Sequence, residues 1–255
     1  MGLFDKKYCD ICGEKIGLLG NRKLEDGNLC KDCAKKLSPW FSERRNSTVS
    51  EIKEQLAYRE KNRERAAQFR TTRSYGEDWK LLLDEEHRWF TVTRARDLAD
   101  ANPDILDYTA LTGCRVDIDE SRTEQMREDA DGKEVSYVPP RYEYSYDFEV
   151  IISVNNPYFD EMRFQVNSSS IDITPPSARP GMPARCNPET NVEYRNCKKL
   201  GEEIRQALTQ VRKDVREKIE QAAAPKMAVT CPYCGATTTP DASGCCEYCG
   251  GAVNG

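Results

Sequence analysis

The sequence predicts an α+β protein of several domains, and three observations support that prediction. Eight of the 12 cysteines fall into four Cys-x-x-Cys pairs, two pairs near each end of the 255-residue chain. Between them, the stretch 142–154 has an apolar residue at every second position, which is typical of a β-strand. The stretch 191–224 repeats its apolar residues at steps of three and four, which is typical of a long helix.

Charge is distributed unevenly along the chain. Residues 1–73 contain 17 Lys and Arg against 11 Asp and Glu, whereas residues 74–190 contain 12 against 24. The acidic centre disfavours binding to nucleic acid or anionic lipid, and the basic N-terminal part is the part that can attract either. No apolar stretch approaches the ~20 residues of a membrane-spanning helix. No secretory signal is visible either, so the expected location is the cytoplasm.

The first cysteine cluster comprises Cys9, Cys12, Cys30 and Cys33. Zn²⁺ prefers four tetrahedral thiolates, and a Cys-x-x-Cys turn supplies two of them from one tight bend. Gly13 after the first pair suits a turn with positive φ, and residues 25–28 predict a hairpin turn. The second pair is followed by helix formers over 34–37, until Pro39. Knuckle, hairpin and helix in this order predict a treble-clef-like zinc module over residues 1–42.

The second cluster comprises Cys231, Cys234, Cys246 and Cys249. Glycine follows both of its pairs, so two facing knuckles, a zinc ribbon, are predicted over residues 225–255. Cys245 is an alternative ligand, but Cys246 keeps the two-residue spacing and the following glycine. His87 is the only histidine and is distant from both clusters, which favours two closed structural zinc ions over redox or catalytic sites. Zinc binding is expected to supply most of each module's folding free energy, of order 10 kcal/mol.

Two larger regions are predicted between the zinc modules. Residues 43–73 form a helical connector, in which the charged helix 48–69 is interpreted as solvated, with a basic docking surface as the alternative. Residues 74–224 form an antiparallel β domain with a long C-terminal helix. Within this domain, the acidic stretch 120–141 and the proline-rich stretch 174–188 are interpreted as loops between strands.

Other residues of this central region admit more than one interpretation. The tyrosines of the alternating strand are interpreted as core and cross-strand pairs rather than as a stacking platform for bases. Cys114, Cys186 and Cys197 show no ligand spacing and are interpreted as buried free thiols, with a third metal site that includes His87 as the alternative. Beyond Val211, the long helix is a candidate coiled-coil seam between two copies of the chain, or an arm that carries the ribbon.

Parts of the chain also resemble known sequence families. The stretch from Cys9 to Phe41, with its Gly-Leu-Leu-Gly segment (Gly17 to Gly20), resembles the N-terminal zinc-binding domain of uncharacterised bacterial proteins. The stretches 102–119 and 155–159 resemble the pleckstrin-homology-like (PH-like) segment that often follows it. The C-terminal Cys-Pro-x-Cys-Gly motif resembles a generic bacterial zinc-ribbon tail. The resemblance implies a curved sheet or half-open barrel with a C-terminal helix, and it implies no known activity.

The motifs favour a binding protein over an enzyme. No glycine-rich phosphate loop, nucleophile elbow or His-containing metal motif is present in the sequence, so a non-enzymatic protein is predicted. The leading hypothesis is a zinc-binding adaptor or scaffold that mediates protein–protein interaction. The third hypothesis is an enzyme with a carboxylate pocket in the β region. The second is nucleic-acid binding through the zinc modules and the basic segment 44–73. That segment contains a cluster of arginines: Arg44, Arg45, Arg59, Arg63, Arg65, Arg70 and Arg73.

Overall fold

The structure is a computed structural model that describes residues 6–175, 186–223, 228–240 and 243–253. The chain divides into two compact units, Met1–Arg212 and Lys213–Gly255. The predicted mixed α+β class is confirmed, with antiparallel sheets, a long helix in the C-terminal part and a four-cysteine group towards each end. Across the described ranges, no helix is both long and apolar enough to cross a membrane. The domain boundaries predicted above remain predictions.

The first unit begins with two short hairpins and a four-residue helix. Their bounds are β1 (Lys7–Tyr8), β2 (Lys15–Ile16), β3 (Arg22–Lys23), β4 (Asn28–Leu29) and α1 (Lys31–Ala34). Each hairpin is antiparallel, β1 with β2 and β3 with β4. The backbone N–H of Leu24 donates to the carbonyl of Gly27 at 2.9 Å and closes the second hairpin at the predicted turn. The predicted order of knuckle, hairpin and helix is therefore confirmed.

Helix α2 (Val49–Gln68) follows and packs on this module. It begins with a capping box, in which the Thr48 side chain accepts from the backbone of Glu51 and the Glu51 side chain accepts from the backbone of Thr48. Ile52 is fully buried in the same apolar cluster as the ligand cysteines of the first module. One face of α2 is thus internal, and the interpretation of 48–69 as a solvated connector is wrong for that face.

Two four-stranded antiparallel sheets form the centre of the first unit. The first contains β5 (Arg73–Tyr75), β6 (Lys80–Asp84), β7 (Trp89–Thr93) and β8 (Leu106–Asp107), in that order, with α3 (Leu98–Ala101) between β7 and β8 in the chain. The second contains β9 (Leu111–Glu128), β10 (Glu134–Val154), β11 (Glu161–Gln165) and β12 (Ile171–Ile173), and β10 pairs with the other three. Strands β6 and β7 form a hairpin, with Lys80 opposite Thr93 and Asp84 opposite Trp89.

Strands β9 and β10 form a much longer hairpin than the sequence predicted. Their register runs from Leu111 opposite Val154 to Glu128 opposite Glu134. The stretch 120–141 is therefore not an acidic loop but the distal part of two paired strands. Neither face of the distal hairpin is buried, so its strands do not alternate apolar and polar residues. For this reason they could not be recognised as strands from the sequence. Stacking of the Arg122 guanidinium on the Tyr142 ring, at 4.3 Å, is one of the contacts that hold this part together.

The predicted long helix is α4 (Val192–Ala223). In the first unit, the Tyr194 ring makes edge contacts with Tyr146 and Phe148 of β10, at centroid distances of 5.1 and 5.0 Å. Gly201 lies against Val116 of β9, where an added Cβ would come within 2.9 Å of a methyl carbon. The helix therefore covers one face of the second sheet, and Tyr146 is a core residue as interpreted. Of the predicted loop 174–188, residues 176–185 lie outside the described residues.

The second unit contains the C-terminal end of α4 and two small knuckles. The first knuckle is the antiparallel hairpin of β13 (Val229–Thr230) and β14 (Thr237–Thr238). The second is closed by a single bridge between Cys245 and Ala252. This arrangement agrees with the predicted ribbon, whereas the likeness of the central sheets to a PH-like domain stays a prediction.

Candidate metal centres

The first centre, composed of Cys9, Cys12, Cys30 and Cys33, has all its sulfurs within 4.8 Å of one another. Cys9 and Cys12 lie in the turn between β1 and β2, Cys30 is the N-cap of α1, and Cys33 lies within that helix. The sulfurs of Cys12 and Cys30 are 3.7 Å apart. The turn between β1 and β2 and the N-terminus of α1 are separated along the chain by the β3–β4 hairpin. They nevertheless bring their four sulfurs together, as the cysteine spacing predicted.

Backbone hydrogen bonds hold this first centre in shape. The N–H of Gly13 donates to the carbonyl of Cys9 at 2.8 Å and closes the knuckle. Gly13 has φ of 76°, a backbone conformation that glycine adopts without steric cost. The N–H of Cys30 donates to the Cys9 sulfur, and the N–H of Cys33 to the Cys30 sulfur, both at 3.3 Å. These donors stabilise negative charge on the two sulfurs that accept them.

The second centre, composed of Cys231, Cys234, Cys246 and Cys249, also has all its sulfurs within 4.8 Å of one another. Its two knuckles are built alike. Gly235 N–H donates to the Cys231 carbonyl at 2.9 Å, and Gly250 N–H donates to the Cys246 carbonyl at 2.8 Å. The two glycines have φ of 71° and 70°, as predicted for both pairs.

The structure separates the roles of the adjacent cysteines 245 and 246. Cys246 is only 2% exposed, and its sulfur is 3.8 Å from the Cys234 sulfur. The Cys245 sulfur instead lies 3.8 Å from the carbonyl oxygen of Ser243, and it does not belong to the group of four. Cys246 is therefore the member of the centre, and the alternative ligand Cys245 was wrong.

The sulfur spacing in both centres fits a tetrahedral metal ion. A zinc–sulfur bond of about 2.3 Å implies about 3.8 Å between neighbouring sulfurs of a tetrahedron. The sulfur pairs Cys12–Cys30, Cys231–Cys249 and Cys234–Cys246 are between 3.6 and 3.8 Å apart. These distances are far longer than the bond of about 2.05 Å in a disulfide. Each centre can hold one metal ion through four sulfurs, which leaves no coordination position for a substrate.

The electrostatics of the sulfurs also favour a bound cation. Burial opposes ionisation of Cys9, but backbone hydrogen bonds from Cys12, Cys30 and Ile11 outweigh it and lower the pKa of Cys9 to about 6. Burial and the neighbouring sulfurs raise the pKa of Cys33. The pKa values of Cys9 and Cys33 move in opposite directions because adjacent thiolates repel one another, so ionisation of one sulfur opposes ionisation of the next. A divalent cation at the centre removes this repulsion and allows all four sulfurs to ionise.

Arg59 of α2 was predicted to belong to the exposed basic cluster, but its side chain is buried and its internal role was missed. Its guanidinium is buried and donates to the Asp104 carboxylate at 2.7 Å, to the Asn102 carbonyl, and to the Lys36 carbonyl at 3.3 Å. The Ser38 hydroxyl donates to the other oxygen of Asp104 at 2.9 Å. Arg59 and Asp104 therefore join three parts of the first unit: the segment after the first metal centre, helix α2 and the loop before β8. The spacing of residues in the sequence does not indicate these contacts, because Arg59 and its partners are distant from one another along the chain.

The arginine cluster proposed as a nucleic-acid surface is largely neutralised. Besides Arg59, four of its arginines form ion pairs, at 2.9 to 3.5 Å. These pairs are Arg63 with Glu60, Arg65 with Asp107, Arg70 with Glu86 and Arg73 with Glu85. Of the seven arginines, Arg44 and Arg45 alone form no ion pair within the described part of the chain.

The remaining cysteines and His87 are not brought together. The His87 ring lies 2.8 Å from the Asp84 carboxylate and stacks on Trp89 at 4.6 Å. Burial raises the pKa of Cys114 to about 11, as expected for a protonated thiol. Cys186 and Cys197 are partly buried beside the Tyr146 and Tyr194 cluster. Among residues 6–175, 186–223, 228–240 and 243–253, only the two four-cysteine groups qualify as metal centres, so the alternative of a third site was wrong there.

The fold and the two centres define a protein with one closed four-cysteine metal site towards each end of the chain. A family model described as "Domain of unknown function (DUF4428)" matches residues 7–55, about a fifth of the chain. The match covers the whole first centre and ends inside α2, beyond Ile52, which packs in the core of that module. The N-terminal region is therefore similar to this family. No curated protein and no solved structure matches the chain significantly.

Proposed function

We propose that the protein binds two structural zinc ions and acts as a non-enzymatic scaffold whose zinc modules present binding surfaces to another protein. The observation that supports this most strongly is the attachment of the first module to the central sheets through the buried pair of Arg59 and Asp104. A zinc module that is held in one orientation can position a partner.

The composition of the centres supports zinc in a structural role. Four thiolates complete a tetrahedral shell, whereas catalytic zinc keeps an open position for water or substrate. In both centres the ligand set is entirely sulfur, and two of the four cysteines in each are nearly inaccessible. Zinc therefore contributes folding free energy and shape in this proposal, not chemistry.

The buried ion pair supports the scaffold role. Asp104 is fully buried and Arg59 nearly so. A buried ion pair adds little net stability relative to apolar packing, because both charges lose their hydration. Its consequence here is geometric: the bonds of Arg59 to Lys36 and Asn102 restrict the first module to one orientation on the sheets.

Metal analysis combined with partner capture tests the proposal. We expect two zinc ions per purified chain, one after Cys12→Ser or Cys246→Ser, and two in the matched control Cys197→Ser. In chemical cross-linking within native cytoplasm, wild type and Cys197→Ser should capture the same protein, and at least one ligand variant should lose it. Chains without zinc, or capture that is unchanged in both ligand variants, would contradict the proposal.

Nucleic-acid binding is the weaker alternative, because ion pairs occupy five of its seven arginines. The same purified chain distinguishes the two in a gel shift with duplex DNA and single-stranded RNA. We expect no complex at physiological salt. A complex that weakens steeply as salt rises would instead support binding to the phosphate backbone.

A further inference from the structure

The first metal module carries two adjacent leucines with almost no protein contact. Leu18 and Leu19 are 90% and 83% exposed. They lie in a tight turn that is closed by the N–H of Gly20, which donates to the Gly17 carbonyl at 2.9 Å. The turn directly follows Ile16, which is buried in the core of the module. The folded module thus exposes both leucines to solvent. Exposure of apolar side chains to water is unfavourable in free energy, and apolar contact with a binding partner would remove this cost.

Basic side chains surround these leucines. Lys15 and Lys31 line the same shallow concavity as the two leucines. Arg22 donates to the Leu19 carbonyl at 3.5 Å and continues the surface into a second concavity. That second concavity is lined by Asn21, Arg22, Lys23, Leu24, Glu25, Arg44 and Arg45. We call the two leucines with these six basic residues (Lys15, Lys31, Arg22, Lys23, Arg44 and Arg45) the leucine surface.

The positive charge of the leucine surface is not neutralised from within the protein. As far as the structure describes the chain, none of its six basic residues forms an ion pair. Asp32, which also lines the first concavity, is paired with Lys35 at 3.5 Å, and Glu25 is the acidic residue of the second. The pKa of Arg44 is lowered mainly by burial, and to a smaller extent by the neighbouring cations Arg45 and Arg22.

We propose that the leucine surface docks the first module onto an anionic lipid bilayer. Leucine side chains partition into the boundary between headgroups and acyl chains, while lysine and arginine at the same level attract lipid phosphates. A single strand of nucleic acid would favour aromatic rings on which bases stack, and leucines do not supply them. The chain would lie on the membrane without spanning it. This proposal is independent of the scaffold function.

Flotation with lipid vesicles tests the proposal, using the zinc-loaded full chain. We expect binding to vesicles of phosphatidylcholine mixed with phosphatidylserine and none to phosphatidylcholine alone. The double substitution Leu18→Ala, Leu19→Ala should weaken binding at least about tenfold, since each leucine loses apolar contact. Each of Arg22→Glu and Arg45→Glu should weaken it roughly fivefold or more, and less at high salt.

Matched controls separate this surface from general effects. Val138→Ala removes an equally exposed apolar side chain elsewhere, and Lys53→Glu reverses an exposed charge on α2. Both should bind vesicles as wild type does. Leu18→Trp should in addition show a blue shift of fluorescence on vesicles that contain phosphatidylserine, which reports insertion into the bilayer.

Three results would overturn the proposal. These are no binding to the anionic vesicles, binding that survives loss of both leucines, or full competition by soluble glycerophosphoserine, which would indicate recognition of a free headgroup. If Leu18 and Leu19 prove necessary only for capture of a protein, the leucine surface serves a protein partner. None of the three vesicle results alters the zinc content or the partner capture that test the scaffold function.

Discussion

The two metal modules share one ligand set but differ in what else holds them together. The apolar core around the first centre contains seven buried residues and includes Ile52 of α2. Among the described residues, the core around the second centre contains three, namely Cys231, Cys246 and Val253, and two of these are ligands themselves. The first module has protein packing in addition to its metal site, whereas the described part of the second module has little packing besides that site.

Polar contacts increase this difference. In the first module, the Asp26 carboxylate accepts the N–H of Val49 at 2.7 Å at the start of α2. The Asp10 carboxylate accepts the N–H of Asn28 at 2.6 Å across two hairpins. We therefore expect the same four-cysteine site to supply most of the folding free energy of the second module and to add to a packed core in the first.

Metal removal should produce the largest difference in stability between the two modules. With a chelator, we expect the second module to unfold, because it loses about 10 kcal/mol of binding free energy that no core replaces. The first module should open only near its cysteines, while α2 around Ile52 remains protected. Hydrogen–deuterium exchange before and after chelation measures both. Equal loss of protection in α2 and in residues 229–238 would show that the two modules depend on metal alike.

The buried ion pair provides the next largest effect, confined to the first unit. Asp104→Ala leaves the Arg59 guanidinium buried without its partner, and we expect a loss of about 3–5 kcal/mol in the free energy of unfolding. The matched control is Glu86→Ala, which removes the exposed pair with Arg70 and should cost about 0–1 kcal/mol. Urea denaturation followed by tryptophan fluorescence measures both. Similar losses in the two variants would mean that burial does not strengthen the Arg59 contact.

The helix cap of α2 should have the smallest effect of the three on the free energy of unfolding. Thr48→Ala removes the side chain that accepts the Glu51 N–H, so we expect a loss of about 0.5–2 kcal/mol. Ser50→Ala, within the first turn but without a capping role, should be nearly neutral. The difference should be measured by urea denaturation with zinc removed, where packing of α2 alone supports the first module. If both substitutions are neutral in that state, α2 does not support the module without metal.

Much of both centres could be predicted because their determinants are local. A Cys-x-x-Cys turn followed by glycine specifies where two sulfurs lie within five residues, and three of the four pairs have this form. The fourth pair, Cys30 and Cys33, lies at the start of a helix, as the helix formers after it predicted. The helix 191–224 and the strand 142–154 were predictable for a similar reason, since one face of each is apolar and buried. The distal hairpin at 120–141 was missed because it has no buried face, so no apolar period marks its strands.

The sequence by itself determined the four Cys-x-x-Cys pairs, because residue spacing acts within a single turn. The choice of Cys246 over its neighbour Cys245 was confirmed only by the structure, which places the Cys246 sulfur in the group of four. Tertiary structure alone decided that Arg59 is internal, since its partners Asn102 and Asp104 lie 43 and 45 residues away along the chain. It also decided which arginines remain unpaired. A charged side chain has the same local preferences whether it meets water or a distant carboxylate, so only the folded arrangement of segments distinguishes the two.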